Sequence, residues 1–318
     1  MKIISFALAG ETRLGAVSGT LAVDLNRAYA ALQRDLGTSA ARAGALADAD
    51  VPADAVRFLE GGTDAIRAAH EALEFAEKLD EKRARRELVR FGLEEIRLLP
   101  PVPNPPKIIC VARNYGAHAS EAGRELPDEP ILFARFAKTL VASGDPVVRP
   151  AISPELDWEG ELAVVIGRGG RHVTKQHALE YVAGYSIFND VTVRDFQFRS
   201  TQYTAGKNFS ASGPFGPYLV LADEVADPHD LEIRTVVSGT EMQRASTSEM
   251  IFDIPTIIAT VAEFIELEPG DVIATGTPAG VGFVRKPPLF LRPGDTVSVS
   301  IEGLGRLENP VVAEEDVR

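Results

Sequence analysis

Between Leu98 and Pro106 the chain reads Leu-Leu-Pro-Pro-Val-Pro-Asn-Pro-Pro, five prolines within nine residues. Each proline fixes φ and lacks an amide hydrogen, so neither a helix nor a central strand can pass through this segment. The stretches on either side must form separate secondary structure, and 318 residues suffice for about two domains with cores of their own. The boundary therefore falls here, with an N-terminal domain over residues 1–99 and a second over 100–318.

The two sides differ in texture. From Lys2 to about Leu25, short apolar runs alternate with Gly10, Gly15 and Gly19 at turn positions, which predicts a small antiparallel meander. From Leu21 to Phe91 the chain turns to Ala, Leu, Glu and Arg, good helix formers, broken at Pro52 and at Gly61-Gly62. Within Thr63–Phe91, Ile66, Ala69, Leu73, Ala76 and Leu79 recur at helical spacing among charged residues, so one long amphipathic helix is expected. Beyond Lys107 the pattern is mainly strands (KIICVA, ELAVVIG, YVAGYSIFN, YLVLAD, EIRTVVSG, DVIATG, DTVSVSIEG), with one helical stretch at Pro255–Glu266. The expected fold class is α+β, mainly β, with a smaller α/β domain in front.

Lysine and arginine number 33 against 46 aspartates and glutamates, a net charge of −13. Such a surface repels nucleic acid and anionic lipid, so neither is an expected partner, although a local pocket can still attract a small anion. The single cysteine, Cys110, can build neither an internal disulfide nor a cysteine-based metal site, which fits a reducing cytoplasm. Glu11 and Arg13 interrupt the apolar start, and no apolar run approaches about 18 residues, so a cytoplasmic protein without a membrane segment is expected.

Chemistry concentrates in a few strings. In Leu156-Asp157-Trp158-Glu159-Gly160-Glu161, followed by a continuous apolar run, the two-residue period of a strand puts Asp157, Glu159 and Glu161 on one face. Two carboxylates about 7 Å apart repel by roughly 2 kcal/mol at an effective dielectric near 20, so something must compensate. Arginines or solvent would do; so would a divalent cation held by oxygen ligands. Asp190, directly after the apolar YVAGYSIFN run, is either a turn residue or a third ligand. Three oxygens without a cysteine or histidine pair select a hard ion such as Mg²⁺ or Mn²⁺ over Zn²⁺.

His118 and Glu121 lie three apart in what reads as a short helix, so they share a face and can pair either as an ordinary surface contact or as a base with its orienting carboxylate. Gly123 and the polar stretch Glu125–Pro130 suit a mobile lid. Lys207, between a glycine and Asn208-Phe209, is either solvated or placed to stabilise an oxyanion. The glycines of Thr275-Gly276-Thr277-Pro278-Ala279-Gly280-Val281-Gly282 let backbone amides approach an anionic group.

Taken in order, CVARNYGAHASE, LDWEGELAVVIG, GYSIFNDVTVRDFQ, AGKNF with GPFGP after it, TSEMIFDIPTIIA, LEPGDVIATGTPAGVG and RPGDTVSVSIEGLGRLENP resemble the fumarylacetoacetate hydrolase family over nearly all of residues 104–318. The resemblance implies a β-roll catalytic domain, usually in a homodimer, with Mg²⁺ or Mn²⁺ bound by Glu159, Glu161 and Asp190. It implies His118 and Glu121 as a general-base dyad, Lys207 and Gln197 as groups that polarise substrate oxygens, and Arg113, Tyr115 and Thr277 as lining of the ligand site. Arg135 stands where many members place a lysine-proline pair, and its guanidinium fork suits a second carboxylate or a polar tail of the substrate. Trp158 and Gly160 also depart from the usual residues without touching a proposed ligand.

A cation that chelates a 2-oxo acid stabilises the enolate beside the keto group. The leading expectation is hydrolysis of the carbon–carbon bond of acylpyruvate-type 1,3-diketo acids to pyruvate and a carboxylic acid, in the breakdown of aromatic compounds or sugar acids. Decarboxylation of oxaloacetate, or a hydratase or lyase step, uses the same enolate. A third reading is a binding protein that keeps the fold without catalysis.

Overall fold

The computed structural model describes residues 1–317. The expected meander forms from strands Lys2–Leu8, Glu11–Ser18 and Leu21–Asp24, turned at Gly10 and Gly19, whose φ values of +86° and +60° favour glycine. Gly15 is not at a turn. It lies within the second strand, where a Cβ would press to 2.5 Å of the Val23 carbonyl oxygen and 2.8 Å of the Phe6 ring.

Five helices follow, Leu25–Asp35, Ala40–Asp50, Ala55–Glu60, Gly62–Lys78 and Glu81–Arg86. The single long helix expected over 63–91 is therefore three elements. Leu79 turns extended, Asp80 caps a new helix by accepting from the Arg83 amide at 2.8 Å, and Arg90–Gly92 is a strand. The buried face of Gly62–Lys78 is built of Ala65, Ala68, Ala69, Ala72 and Ala76, with Ile66 and Leu73 only partly buried beside it.

The proline segment is irregular, as its sequence requires, but it does not divide the sheet. Lys2–Leu8 pairs antiparallel with Gly213–Leu221 in the register Lys2↔Val220. Through that contact the N-terminal strands join one twelve-stranded sheet. Its main path passes from Arg90–Gly92 through the meander to Gly213–Leu221, Val182–Asn189, Gly160–Ile166, Val272–Ala274, Ile108–Ala112 and Ile131–Arg135. One hydrophobic cluster accordingly spans both sides of the prolines, from Met1, Ile3 and Leu14 to Phe188, Phe215 and Val272.

A second, five-stranded sheet (Thr240–Ser246, Glu232–Val237, Thr296–Ile301, Gly305–Ala313, Val147–Arg149) packs on the first. Between them Leu162, Val164, Ile187, Val299 and Ile301 are buried with Ile257, Ile258 and Val261 of the helix Ile254–Phe264. Each such side chain contributes about 1.5–3 kcal/mol relative to exposure. Asp253 caps that helix, and Pro255 occupies its first turn, where the missing amide costs nothing.

For the site, one register matters most. Gly160 pairs with Asn189 at the ends of two central strands, and the Asp190 amide donates to the Glu159 carbonyl at 2.8 Å. Residues about thirty apart in sequence thus emerge side by side at one sheet end.

Candidate active site

The strand Gly160–Ile166 is buried along its whole length, and Glu159 and Glu161 sit at its entrance. One oxygen of each and one of Asp190 lie within 4.8 Å of one another, all three residues buried. Asp157 does not join them. Its strand ends there, and its carboxylate turns to accept from the amides of Trp158 (2.8 Å), Gly282 (2.7 Å) and Phe283 (3.0 Å) and from Arg194 Nε (2.8 Å).

Three buried cations answer this charge. Lys207 Nζ donates to Glu159 Oε2 and Asp190 Oδ2, both at 2.6 Å. Arg194 Nη2 is 2.7 Å from Glu159 Oε1, and Arg135 Nη1 donates to Asp190 Oδ1 at 2.5 Å. Burial opposes charge on Glu159, but Lys207 and Arg194 outweigh it and hold the carboxyl at about 2. Burial likewise opposes the Lys207 ammonium, and Asp190 and Glu159 raise its pKa nonetheless. Among the described residues, Glu161 has no such partner. It accepts only the Gly276 amide, at 2.8 Å, and burial followed by Asp190 and Glu159 pushes its carboxyl well above the ordinary range.

That imbalance fits a cation. Three buried oxygen donors converge, and the one without a positive neighbour gains most from an ion among them.

Facing the cluster is the helix Gly116–Glu121. His118 is buried, with Nδ1 3.0 Å from Glu121 Oε1. A proton on Nδ1 is thereby held toward the carboxylate, leaving Nε2 as the basic nitrogen. Glu121 is fixed in turn by the Gly280 amide, 3.0 and 2.9 Å from its two oxygens.

The glycine-rich loop does bring amides to anionic groups, but those groups belong to the protein: Gly276 serves Glu161, Gly280 serves Glu121, and Gly282 with Phe283 serves Asp157. Gly280 has φ +107°, and a Cβ there would collide with the Met242 carbonyl. Gln243 secures the loop, donating to Thr277 Oγ1 and the Pro278 carbonyl, both at 2.8 Å.

A cavity of about 650 Å³ connects these parts. His118, Glu159, Glu161, Asp190 and Lys207 line it, as do Arg113, Gln197 and Thr277. Gln197 accepts from Arg194 at 2.9 Å, which leaves its amide NH₂ as a donor. The Thr277 hydroxyl is engaged internally, donating to the Gly160 carbonyl at 2.9 Å.

Two expected lining residues lie elsewhere. Arg135 is buried behind Asp190, bonded also to the Val191 carbonyl (3.2 Å) and Ser212 Oγ (2.7 Å), because Asp190 needs a cation on its far side. Tyr115 is buried at the start of the dyad helix, outside the cavity lining, with its hydroxyl unpartnered among the described residues. Burial, Glu161 and Glu249 raise that phenol above its usual range.

The sequence reading missed Arg194, Asn114 and Gln243. Arg194 follows Asp190 by four residues, and that spacing was its only signal. Asn114 is fully buried and ties the dyad segment to the Thr275 carbonyl (2.8 Å) and to both the amide and the carbonyl of Phe252 (2.8 and 3.0 Å).

With this geometry in hand, residues 107–312 match the fumarylacetoacetate (FAA) hydrolase C-terminal family. The chain is 42% identical over 267 residues to human "Oxaloacetate tautomerase FAHD2A, mitochondrial", covering 83% of this chain and 82% of that one. It is 41% identical to the Xenopus laevis "Oxaloacetate tautomerase fahd2, mitochondrial", covering 83% and 80%. Among solved structures, a fumarylacetoacetate hydrolase from psychrophilic Exiguobacterium antarcticum is similar with a TM-score of 0.77 at 34% identity, covering 99% and 100%. The maleylpyruvate hydrolase of Sphingobium sp. SYK-6 in complex with manganese(II) and pyruvate is similar at 0.72 and 30%, covering 98% and 99%. The mitochondrial relatives overturn the cytoplasmic expectation. That expectation leaned on an unpaired cysteine, and a single buried cysteine does not single out one compartment.

Proposed function

Since the chain belongs to the fumarylacetoacetate hydrolase family, we propose that it is a divalent-cation-dependent enzyme of small 2-oxo acids, and that it interconverts the keto and enol forms of oxaloacetate. The carrying observation is the His118–Glu121 dyad facing the three-carboxylate cluster across one cavity. Relatives 41–42% identical over four-fifths of both chains are named oxaloacetate tautomerases, which favours this reaction over acylpyruvate hydrolysis.

Glu159, Glu161 and Asp190 would hold a Mg²⁺ or Mn²⁺ ion, which when bound would supply Lewis-acid polarisation of the 2-oxo oxygen. His118 Nε2 takes the proton from the carbon beside the ketone, and Glu121 stabilises the imidazolium that forms. The same ring returns the proton to the former carbonyl oxygen, since both ends of a 1,3-shift lie within reach of one imidazole. The carbon–hydrogen bond breaks, an oxygen–hydrogen bond forms, and composition is unchanged. The Gln197 amide acts as a donor toward developing negative charge on oxygen, and Lys207, whose three N–H groups are held by Glu159 and Asp190, adds positive charge beside it.

Hydrolysis remains the second reading, favoured by the similar maleylpyruvate hydrolase with its manganese and pyruvate. The same base would activate water there.

The test follows decay of oxaloacetate enol absorbance with purified protein, in Mg²⁺ or Mn²⁺ against chelator, while assaying pyruvate and carbon dioxide. The expected result is cation-dependent acceleration without pyruvate release, lost in His118→Ala. Pyruvate and a second acid from acetylpyruvate would transfer the assignment to hydrolysis, and carbon dioxide to decarboxylation. An unaccelerated enol decay would end the tautomerase reading.

A further inference from the structure

The smaller sheet sends one polar side chain into the active-site framework from outside the cavity. Gln243 lies on Thr240–Ser246, the edge strand of that sheet, is buried, and does not line the cavity. Its Oε1 accepts from the Gly160 amide at 3.0 Å, while Nε2 donates to Thr277 Oγ1 and to the Pro278 carbonyl, both at 2.8 Å. Thr277 Oγ1 donates in turn to the Gly160 carbonyl at 2.9 Å. The amide and the carbonyl of Gly160 are therefore both held.

Gly160 stands between Glu159 and Glu161, two of the three converging carboxylates. A Cβ there would collide with Thr235 Oγ1 and come within 2.9 Å of Val299, so this backbone lies hard against the second sheet. Thr235 is the register partner of Gln243, and the two side chains leave the same face of the sheet toward the same glycine. At the other end of the Gln243 amide, Thr277 and Pro278 lie between Gly276, whose amide holds Glu161, and Gly280, whose amide holds Glu121. One side chain thus ties the strand that carries two of the carboxylates to the loop that fixes the dyad. A primary amide brings an acceptor and two donors on one flat group, and here each has a partner. An apolar side chain of similar size would leave the buried Gly160 amide and Pro278 carbonyl without theirs.

We infer that Gln243 is a positioning residue that couples the carboxylate cluster to the dyad. Glu159 and Glu161, once fixed by a cation, fix Gly160, and through Gln243 they fix the loop whose Gly280 amide holds Glu121. This rests on the reading of the cluster as a cation site and of His118 with Glu121 as the base. Such coupling is reciprocal, so loss of the amide weakens cation binding and loosens the dyad together.

Mn²⁺ titration of the full-length protein, followed by electron paramagnetic resonance of the free ion, reads the first effect without turnover. Gln243→Met should weaken Mn²⁺ about tenfold and lower kcat in the enol assay by about tenfold or more, with KM little changed. Thr235→Val serves as the packing control, because the Thr235 hydroxyl has no partner among the described residues; it should change neither quantity. In wild type, Mg²⁺ without substrate should slow hydrogen exchange at the Gly280 amide, a measurement that stands even where Gln243→Met fails to fold. A Gln243→Met protein that melts lower but binds Mn²⁺ and turns over like wild type would overturn the coupling. Equal losses in Thr235→Val, or Gly280 exchange indifferent to Mg²⁺, would overturn it as well. Weakened Mn²⁺ in Gln243→Met, with Mg²⁺-dependent protection of Gly280 in a wild type that leaves enol decay unaccelerated, would sink the tautomerase reading and leave the coupling standing.

Discussion

The charge arrangement at the cavity floor makes Lys207→Met an informative perturbation. In the cation-free protein the ammonium bridges Glu159 and Asp190, at 2.6 Å from each, with 2% of its surface exposed. Removing one partner of a buried pair costs about 3–5 kcal/mol, because the other charge is left uncompensated. Arg194 and Arg135 remain on the two carboxylates, so the lower half of that range applies. With roughly 2 °C per kcal/mol for a chain of this size, melting in chelator should fall by about 6–8 °C. A divalent cation restores the missing charge on the same oxygens, and at a hundred times its dissociation constant contributes about 2.7 kcal/mol. Wild type gains cation stabilisation too, so the deficit should shrink in millimolar Mg²⁺ or Mn²⁺ by the variant's extra binding free energy, about 1.4 kcal/mol for each tenfold by which it binds the cation more tightly than wild type. Scanning calorimetry at one scan rate and near pH 8, with and without cation, reads both effects. A variant that melts with wild type in chelator, or a deficit that cation leaves untouched, would refute this account of the cluster.

Two further outcomes follow from neighbouring groups. The folded protein holds the Glu161 proton to higher pH than the unfolded chain does, so its contribution is present below the unfolded value near 4.5 and is lost as pH rises toward the folded one. Without cation, Glu161→Gln should flatten that decline and raise the melting temperature at pH 8 while abolishing Mn²⁺ binding; a steeper decline would contradict it. Gly280→Ala forces a Cβ against the Met242 carbonyl and displaces the amide that fixes Glu121. It should lower kcat between tenfold and a hundredfold with KM little changed, and unchanged kcat in a folded variant would remove Gly280 from the positioning of the dyad.

The sequence carried much of this by itself. Continuous apolar runs marked Gly160–Ile166 and Val182–Asn189 as buried strands, and helical spacing put His118 beside Glu121. Those are local properties, set by backbone periodicity and by which side chains water excludes. The order of seven motifs identified the family, which no single motif could do.

Tertiary structure decided what local pattern cannot encode. Period-two alternation put Asp157 with Glu159 and Glu161, but the strand stops at Asp157 and the loop at Gly282 claims its carboxylate. Arg135 read as a hand for substrate and became the far-side support of Asp190. The proline run marked a break in secondary structure and not in the sheet, because Lys2–Leu8 finds its partner in Gly213–Leu221, two hundred residues away. Register between distant strands is fixed by cooperative packing of their buried faces, and the partner of a buried charge is whichever opposite charge that packing delivers. The residue types at the site were therefore legible in the chain, and their pairing was settled only when the strands met.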